Sequence, residues 1–385
     1  MKKYILVAAA SAMTMLVVIC AVLFCALGGT MERVTDAVRL IGTWQYVESR
    51  YVGDITERQL MDGAIAGMMN ALGDKHSVYM DEEKFKQLTE QNEGSFGGIG
   101  VVMAFPEPGT CEIMTVMEGT PGEAAGLLAK DAIIKVDSQD IKEMQPEEIA
   151  KKIRGPEGTE VVLTIKRQDQ EPFDVTLTRA SIPLITAKGT MVKDLPDGEK
   201  IGYIRIASFS ENTAKEFKAE LASLKEQGMQ GLIIDLRSNP GGLLSDCVDI
   251  ASDLLPEGEI VSLVDRRGNK EIYKSTGAGA DFPIVVLIDE NSASASEILA
   301  GAIQDTQCGT IVGKKSFGKG SVQNVIPLFH GDGIKLTIAK YYTPSGRSID
   351  GVGVEPDVEV EQPKEATVDE QLQKAIEVMR DKLKE

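Results

Sequence analysis

The chain has 385 residues, of which 43% are hydrophobic and 26% charged, a globular composition with room for two or three domains. Its formal net charge of −18 argues against a nucleic-acid partner, because a phosphate-binding surface needs a surplus of Lys and Arg. With only two histidines, His76 and His330, a Ser-His-Asp triad is poorly supplied.

At the amino end, Lys2 and Lys3 precede an apolar stretch from Tyr4 to Leu27 broken only by Ser11 and Thr14, enough to span a bilayer at about 20 residues. A cleavable signal has an apolar region of about 7–15 residues and then a small-residue cleavage site. The run here is longer and its exit, Cys25-Ala-Leu-Gly-Gly-Thr30, is a middling site, so residues 1–30 are expected to be an uncleaved signal-anchor. The two lysines, set against Arg33 beside Glu32, put the amino terminus in the cytoplasm. The expectation is a single-pass protein of the cell membrane with everything beyond residue 30 extracytoplasmic. Cys20 and Cys25 serve as small apolar side chains in the anchor, and Cys111, Cys247 and Cys308 lack metal-like spacing. Neither a disulfide framework nor a metal site is expected, and no cofactor.

Residues 31–94 read as a helical region. Val38, Ile41, Trp44 and Val47 recur at helical spacing, and residues 60–72 repeat the pattern before a turn at 73–77 that takes His76. A polar segment, 81–94, leads into Gly97-Gly-Ile-Gly-Val-Val102. From 95 to 181 the texture is short strands (101–104, 111–116, 132–136, 161–165, 173–177) with helices at 122–126 and 146–153. The backbone N–H groups of a glycine-rich turn can hold a terminal carboxylate, and the strand after it can pair with an added peptide strand, which makes Gly98, Ile99, Gly100 and Val101 a candidate peptide site. From 182 to 365, strands at 200–206, 231–236 and 283–288 alternate with helices at 212–227, 243–255 and 294–304. That is an α/β layer with parallel crossovers, whose ligand sites lie at the carboxyl ends of the strands. Residues 366–385 read as a charged helix.

Two loops at such strand ends carry chemistry. Ser294 lies in Asn291-Ser-Ala-Ser-Ala-Ser-Glu297, and the other loop is Arg237-Ser-Asn-Pro-Gly-Gly242. Ser294-Ala-Ser-Glu297 is also a capping-box pattern, which would make the serine an ordinary helix cap. A serine at a helix start nevertheless sits where unpaired N–H groups and the dipole stabilise an oxyanion. Lys319 stands between glycines in Phe317-Gly-Lys-Gly320. The run from Gly313 to Lys319 imitates a phosphate-binding loop, but Gly320 replaces the hydroxyl that would hold Mg²⁺, and residues 321–326 have a strand pattern where a helix should follow. A lysine acts as a general base near neutral pH only if its pKa falls by roughly three units from about 10.4, about 4 kcal/mol of differential desolvation. Gln323 is placed to orient the amine without adding charge.

Taken together these segments resemble the carboxy-terminal processing peptidases. The resemblance rests on Leu72-Gly-Asp-Lys-His-Ser77, the glycine-rich start at 97–100, Asp235 to Gly242, Asn291 to Glu297, Phe317 to Gln323, Tyr342-Thr-Pro-Ser-Gly-Arg347 and Gly353-Val-Glu-Pro-Asp357, in that order. It implies an α/β fold, with a parallel or mixed-sheet serine peptidase core of the crotonase/Clp-protease kind (182–365), an inserted PDZ domain (95–181), amino-terminal helices and a carboxy-terminal helix. It further implies Ser294 as nucleophile, Lys319 as base and Gln323 as its orienting partner, with Ala295 and Gly241 supplying the oxyanion hole. Expected partners are proteins or peptides with free carboxyl termini, the membrane through the amino-terminal helix, and a second copy through the terminal helices, which resemble dimer-forming parts of the family. The alternative is a catalytically silent PDZ scaffold protein.

Overall fold

The computed structural model describes residues 24–25, 29–107, 109–168, 170–193, 195–363 and 365–384. The expected anchor over residues 4–27 lies outside the described residues apart from Phe24 and Cys25. Among the described residues no helix is long and apolar enough to cross a membrane. The chain divides into two compact units, Met1–Asp81 and Glu82–Glu385.

In the first unit, helices span Met31–Arg50 and Glu57–Asn70, followed by a short strand, Val78–Met80. Thr30 caps the first helix, and Thr56 and Gln59 form a reciprocal capping box at the second. The first helix buries none of its residues, and Val38, Ile41 and Tyr46 are largely exposed. The turn expected around His76 is built on Asp74, which accepts the His76 N–H at 3.0 Å and the Ser77 hydroxyl at 2.6 Å.

The second unit opens with a helix, Glu82–Glu93, where the sequence reads only as a polar segment. Its acidic first turn complements the helix dipole, and Lys86 pairs with Glu90 one turn on at 3.7 Å. The chain then enters the PDZ domain through a strand, Ser95–Gly98, and leaves it through another, Ala180–Pro183. These two pair antiparallel, with Gly98 opposite Ala180. Between them lies a sheet whose strands run in the order Val101–Ala104, Glu112–Val116, Ala132–Val136, Glu160–Lys166 and Phe173–Thr178. Its core gathers Ile113, Ile133, Val161, Leu163 and Ile165 with Ile149 and Ile153 from the helix Pro146–Ile153. Asp131, 1% exposed, is gripped by Arg167 through two bonds of 2.7 Å.

The expected α/β core is a sheet in the order Ala187–Met191, Ile201–Ile206, Gly231–Asp235, Ile284–Ile288, Gly309–Gly313 and Val358–Glu359. All its pairings are parallel except the first. The central strands read Gly-Leu-Ile-Ile-Asp and Ile-Val-Val-Leu-Ile because a parallel sheet is covered on both faces. On one face, Leu232, Ile234, Val286 and Ile288 meet the helices Thr213–Glu226, Leu244–Leu254 and Ala295–Asp305. On the other, Ile233, Val285 and Leu287 meet Ala375 and Met379 of the carboxy-terminal helix Glu370–Lys382. An antiparallel sheet stands beside this core, in the order Ser321–Pro327, Gly333–Tyr342, Pro256–Asp265 and Lys270–Ala278. His330 falls at the tip between its first two strands, as the sequence suggests.

Candidate active site

The neighbouring parallel strands Gly231–Asp235 and Ile284–Ile288 end side by side, so the loops that follow them share one end of the sheet. Hydrogen bonds stitch the loops together. Asp289 accepts the Ser238 N–H at 2.8 Å, Ser292 donates its hydroxyl to the Leu236 carbonyl at 2.9 Å, and the Asn239 carbonyl takes the Ala293 N–H and the Ser296 hydroxyl, each at 3.0 Å. Ser292 and Ser296, which the capping pattern leaves without a task, are therefore loop fasteners.

Ser294 is held at φ 56°, ψ −114°, a backbone conformation that costs a non-glycine residue of order 1–3 kcal/mol. Its N–H donates to the Glu297 carboxylate at 2.8 Å, while the Glu297 N–H goes to the Ser294 carbonyl at 2.9 Å. The capping-box arrangement of Ser294 and Glu297 is present, but its Glu297 half is the full hydrogen bond, and the Ser294 hydroxyl makes no full cap bond. Ser294 opens the helix Ala295–Asp305, whose first N–H, that of Ala295, has no acceptor among the described residues.

Gly241 packs directly against this point. A Cβ there would lie 2.8 Å from the Ser294 Cβ and 2.9 Å from the Ala295 nitrogen. Its N–H, however, is committed to Asn239 Oδ1 at 2.8 Å. The next residue, Gly242, is tied to Phe209 on its flanks, through Gly241 O and the Leu243 N–H, while its own N–H has no acceptor among the described residues. The Gly241 N–H expected at the oxyanion hole is thus engaged by Asn239, whereas the N–H of the next glycine is unengaged among the described residues. The two glycines are alike in sequence, and the buried Asn239 side chain distinguishes them by engaging only the first.

One cleft of about 210 Å³ is lined by Gly242, Ser294, Ala295, Lys319, Gln323, Lys335 and Tyr341, among others. Burial, and then the charge of Lys335, push the Lys319 amine below its ordinary value of 10.5, against the upward pull of Glu297. The amine enters no hydrogen bond or ion pair among the described residues. Gln323, which also lines the cleft, donates its amide to Ser321 Oγ at 2.8 Å and to Thr337 Oγ1 at 3.3 Å, and its carbonyl oxygen accepts no hydrogen bond among the described residues. After Lys319 comes the strand Ser321–Pro327, not the helix that a phosphate-binding loop requires. Tyr341, 1% exposed, spans the two segments from beneath, its hydroxyl reaching the carbonyls of Lys319 and, at 3.2 Å, Ser294.

The second candidate site is at the PDZ entrance. The carbonyls of Ile99 and Gly100 accept the N–H groups of Gly122 at 2.7 Å and Met117 at 2.8 Å, while their own N–H groups have no acceptor among the described residues. Gly100 has φ 74°, which favours glycine. Gly98 and Ile99 are buried, and Val101 begins the edge strand of the sheet, open on its outer side to strand addition.

An α/β core with a serine at a strained helix start and a PDZ domain inserted ahead of it defines a PDZ-bearing serine peptidase, and comparison with known proteins agrees. The model of peptidase family S41 matches residues 200–360, that of the activating protease CtpB N-terminal domain matches 27–84, and that of the PDZ domain matches 112–167. The carboxy-terminal-processing protease of Bartonella bacilliformis is 40% identical over 328 residues, 83% of this chain and 74% of that one. The carboxyl-terminal-processing protease of a Synechocystis species is 40% identical over 324 residues, 83% of this chain and 76% of its own. Among solved structures, a photosystem II D1 C-terminal processing protease superposes with a TM-score of 0.51 at 28% identity, covering 88% of this chain and 96% of that chain. The chain belongs to peptidase family S41, as one of its carboxy-terminal processing serine proteases.

Proposed function

We propose that this peptidase is tethered to the cell membrane by residues 1–30, with its catalytic part outside the cytoplasm, and cleaves proteins near carboxyl termini captured by its PDZ domain. The observation that carries the chemistry is Ser294: a strained serine at a helix start whose hydroxyl makes no full cap bond, in one cleft with an unpaired lysine whose charge is disfavoured there. The terminal carboxylate sits on the N–H groups of Ile99 and Gly100, and the segment before it adds to the strand Val101–Ala104. The neutral Lys319 amine takes the Ser294 proton as Oγ attacks the scissile carbonyl, and the oxyanion rests on the N–H groups of Ala295 and Gly242. The ammonium so formed returns its proton to the departing amine, leaving an acyl-serine. Lys319 then deprotonates a water, whose attack frees the acid product and restores the hydroxyl. Gln323 offers its carbonyl oxygen to the amine and fixes its direction. Lys2 and Lys3 ahead of the apolar run support the orientation in the membrane.

The test is digestion of an unfolded protein with an apolar carboxyl terminus by the chain from Thr30 onward, beside Ser294→Ala and Lys319→Ala. Loss of cleavage in both variants, with folding intact, is expected. Equal cleavage by all three would sink the dyad, and release of the full chain from membranes by alkaline carbonate would sink the anchor.

A further inference from the structure

The Glu297 side chain is wholly buried, at 0% exposure, yet no cation pairs with it among the described residues. Four donors converge on its two oxygens instead. Oε1 accepts the Ser316 hydroxyl at 2.6 Å and the Gly318 N–H at 2.7 Å, and Oε2 accepts the Lys319 N–H and the Ser294 N–H, each at 2.8 Å. A carboxylate has acceptor capacity for all four, and ionised acceptors make the shorter, stronger bonds. Glu297 stands one turn into the nucleophile's helix, whereas three of the four donors come from the loop that presents the lysine. The Ser316 hydroxyl also accepts the Val354 N–H at 2.7 Å, which anchors that loop from its far side.

We propose that Glu297 is a positioning residue for the hydrolytic reaction: its buried carboxylate clamps the backbone of Ser294 to the backbone of Lys319 and so sets nucleophile and base at working distance. The proposal rests on the Ser-Lys reading above and deepens it. A buried carboxylate bound only to neutral donors carries a desolvation cost that a cap alone does not explain, since capping accounts for only one of its four bonds, the one to the Ser294 N–H. Holding two loops of different origin in register does explain it. Proximity is worth rate only when geometry is held to a fraction of an ångström, so loosening the clamp should lower turnover while leaving substrate capture alone.

The decisive variants are Glu297→Gln and Glu297→Asp in the full chain. Glutamine offers one oxygen, and its amide nitrogen would face N–H donors, so at least one segment is released. Aspartate keeps the charge but falls short of the donors. Both should lower kcat by about 10²-fold while KM for a peptide substrate stays within about twofold.

The pH profile separates positioning from mere folding. The charged and titratable groups facing the Lys319 amine are Glu297 from the helix, and Lys335 and Tyr341 from the strand Gly333–Tyr342. Removing the Glu297 charge takes away the influence that raises the amine. The alkaline rise in kcat/KM should therefore move to lower pH in Glu297→Gln and stay in place in Glu297→Asp. Wild-type kcat in folded Glu297→Gln would overturn the proposal, as would a loss that matches the unfolded fraction with the pH profile unmoved. If Glu297→Gln does not fold, Ser316→Ala, which removes one of the four donors, decides: kcat several-fold lower with KM unchanged is expected, and wild-type kcat overturns the clamp. Ser294→Ala in parallel keeps the two readings apart. Cleavage surviving in that variant defeats the dyad itself, whereas a dead Ser294→Ala beside a fully active Glu297→Gln defeats only the clamp.

Discussion

Under the proposed chemistry one buried side chain, Lys319, links stability to activity. Burial and Lys335 lower its pKa, so the folded chain releases this proton at a lower pH than the unfolded chain does. Below the folded value the cleft must hold an ammonium it disfavours. Above the ordinary 10.5 the amine is neutral in both states and the penalty is gone. The unfolded state binds more protons across that window, so the contribution of this residue to stability improves as pH rises through it. Lys319→Met should therefore abolish cleavage and raise Tm by about 2–4 °C near neutral pH, a gain that shrinks to nothing as pH approaches 10.5. A gain of the same size at every pH, read by calorimetry, would refute desolvation as the cause. Ser294 and Lys319 were legible in sequence through their small-residue settings. Glu297 was legible only as a cap, because three of its four partners, Ser316, Gly318 and Lys319, lie beyond the end of its own helix and meet it only after folding.

At the scale of elements, the central strands were plain in sequence because a strand covered on both faces reads as an apolar run bounded by loops. Their alternation was not, since both faces look alike until the helices are placed. Val286 then faces the three crossover helices and Leu287 the carboxy-terminal helix. Leu287→Ala should cost about 2–5 kcal/mol in urea denaturation, as expected where a fully buried leucine leaves a cavity. A cost below about 1 kcal/mol would mean that the carboxy-terminal helix is not firmly packed on that face. The strands Pro256–Asp265, Lys270–Ala278 and Gly333–Tyr342 escaped the sequence reading. Lys270–Ala278 is charged and largely exposed, and register shifts interrupt its pairing with Pro256–Asp265, so no simple alternation marks it. The helix Glu82–Glu93 was missed because it buries no residue completely.

At the scale of the whole molecule, the PDZ domain is spliced into the peptidase through two strands that pair with each other, Gly98 opposite Ala180. Because the points of entry and exit are adjacent, residues 99–179 can be replaced by a short glycine linker without spreading the ends. On the proposed capture of the carboxyl terminus by this domain, excision should leave Ser294 open to a serine-reactive phosphonate while raising KM for a protein substrate at least about tenfold. Unchanged KM would remove the domain from substrate binding. Abolished labelling in a folded variant would instead give it a part in assembling the active site.

By itself the sequence determined the α/β class, the order of domains and the segments that carry the serine, the lysine and the glycine turns, because local patterning and short motifs are written along the chain. Which glycine N–H is already engaged, what Gln323 already holds, and which carboxylate joins the Ser294 backbone to that of Lys319 were decided only by tertiary structure. Those facts depend on contacts between segments far apart in sequence, where the burial of Asn239, Glu297 and Tyr341 selects one hydrogen-bond pattern among several that the same residues would otherwise permit.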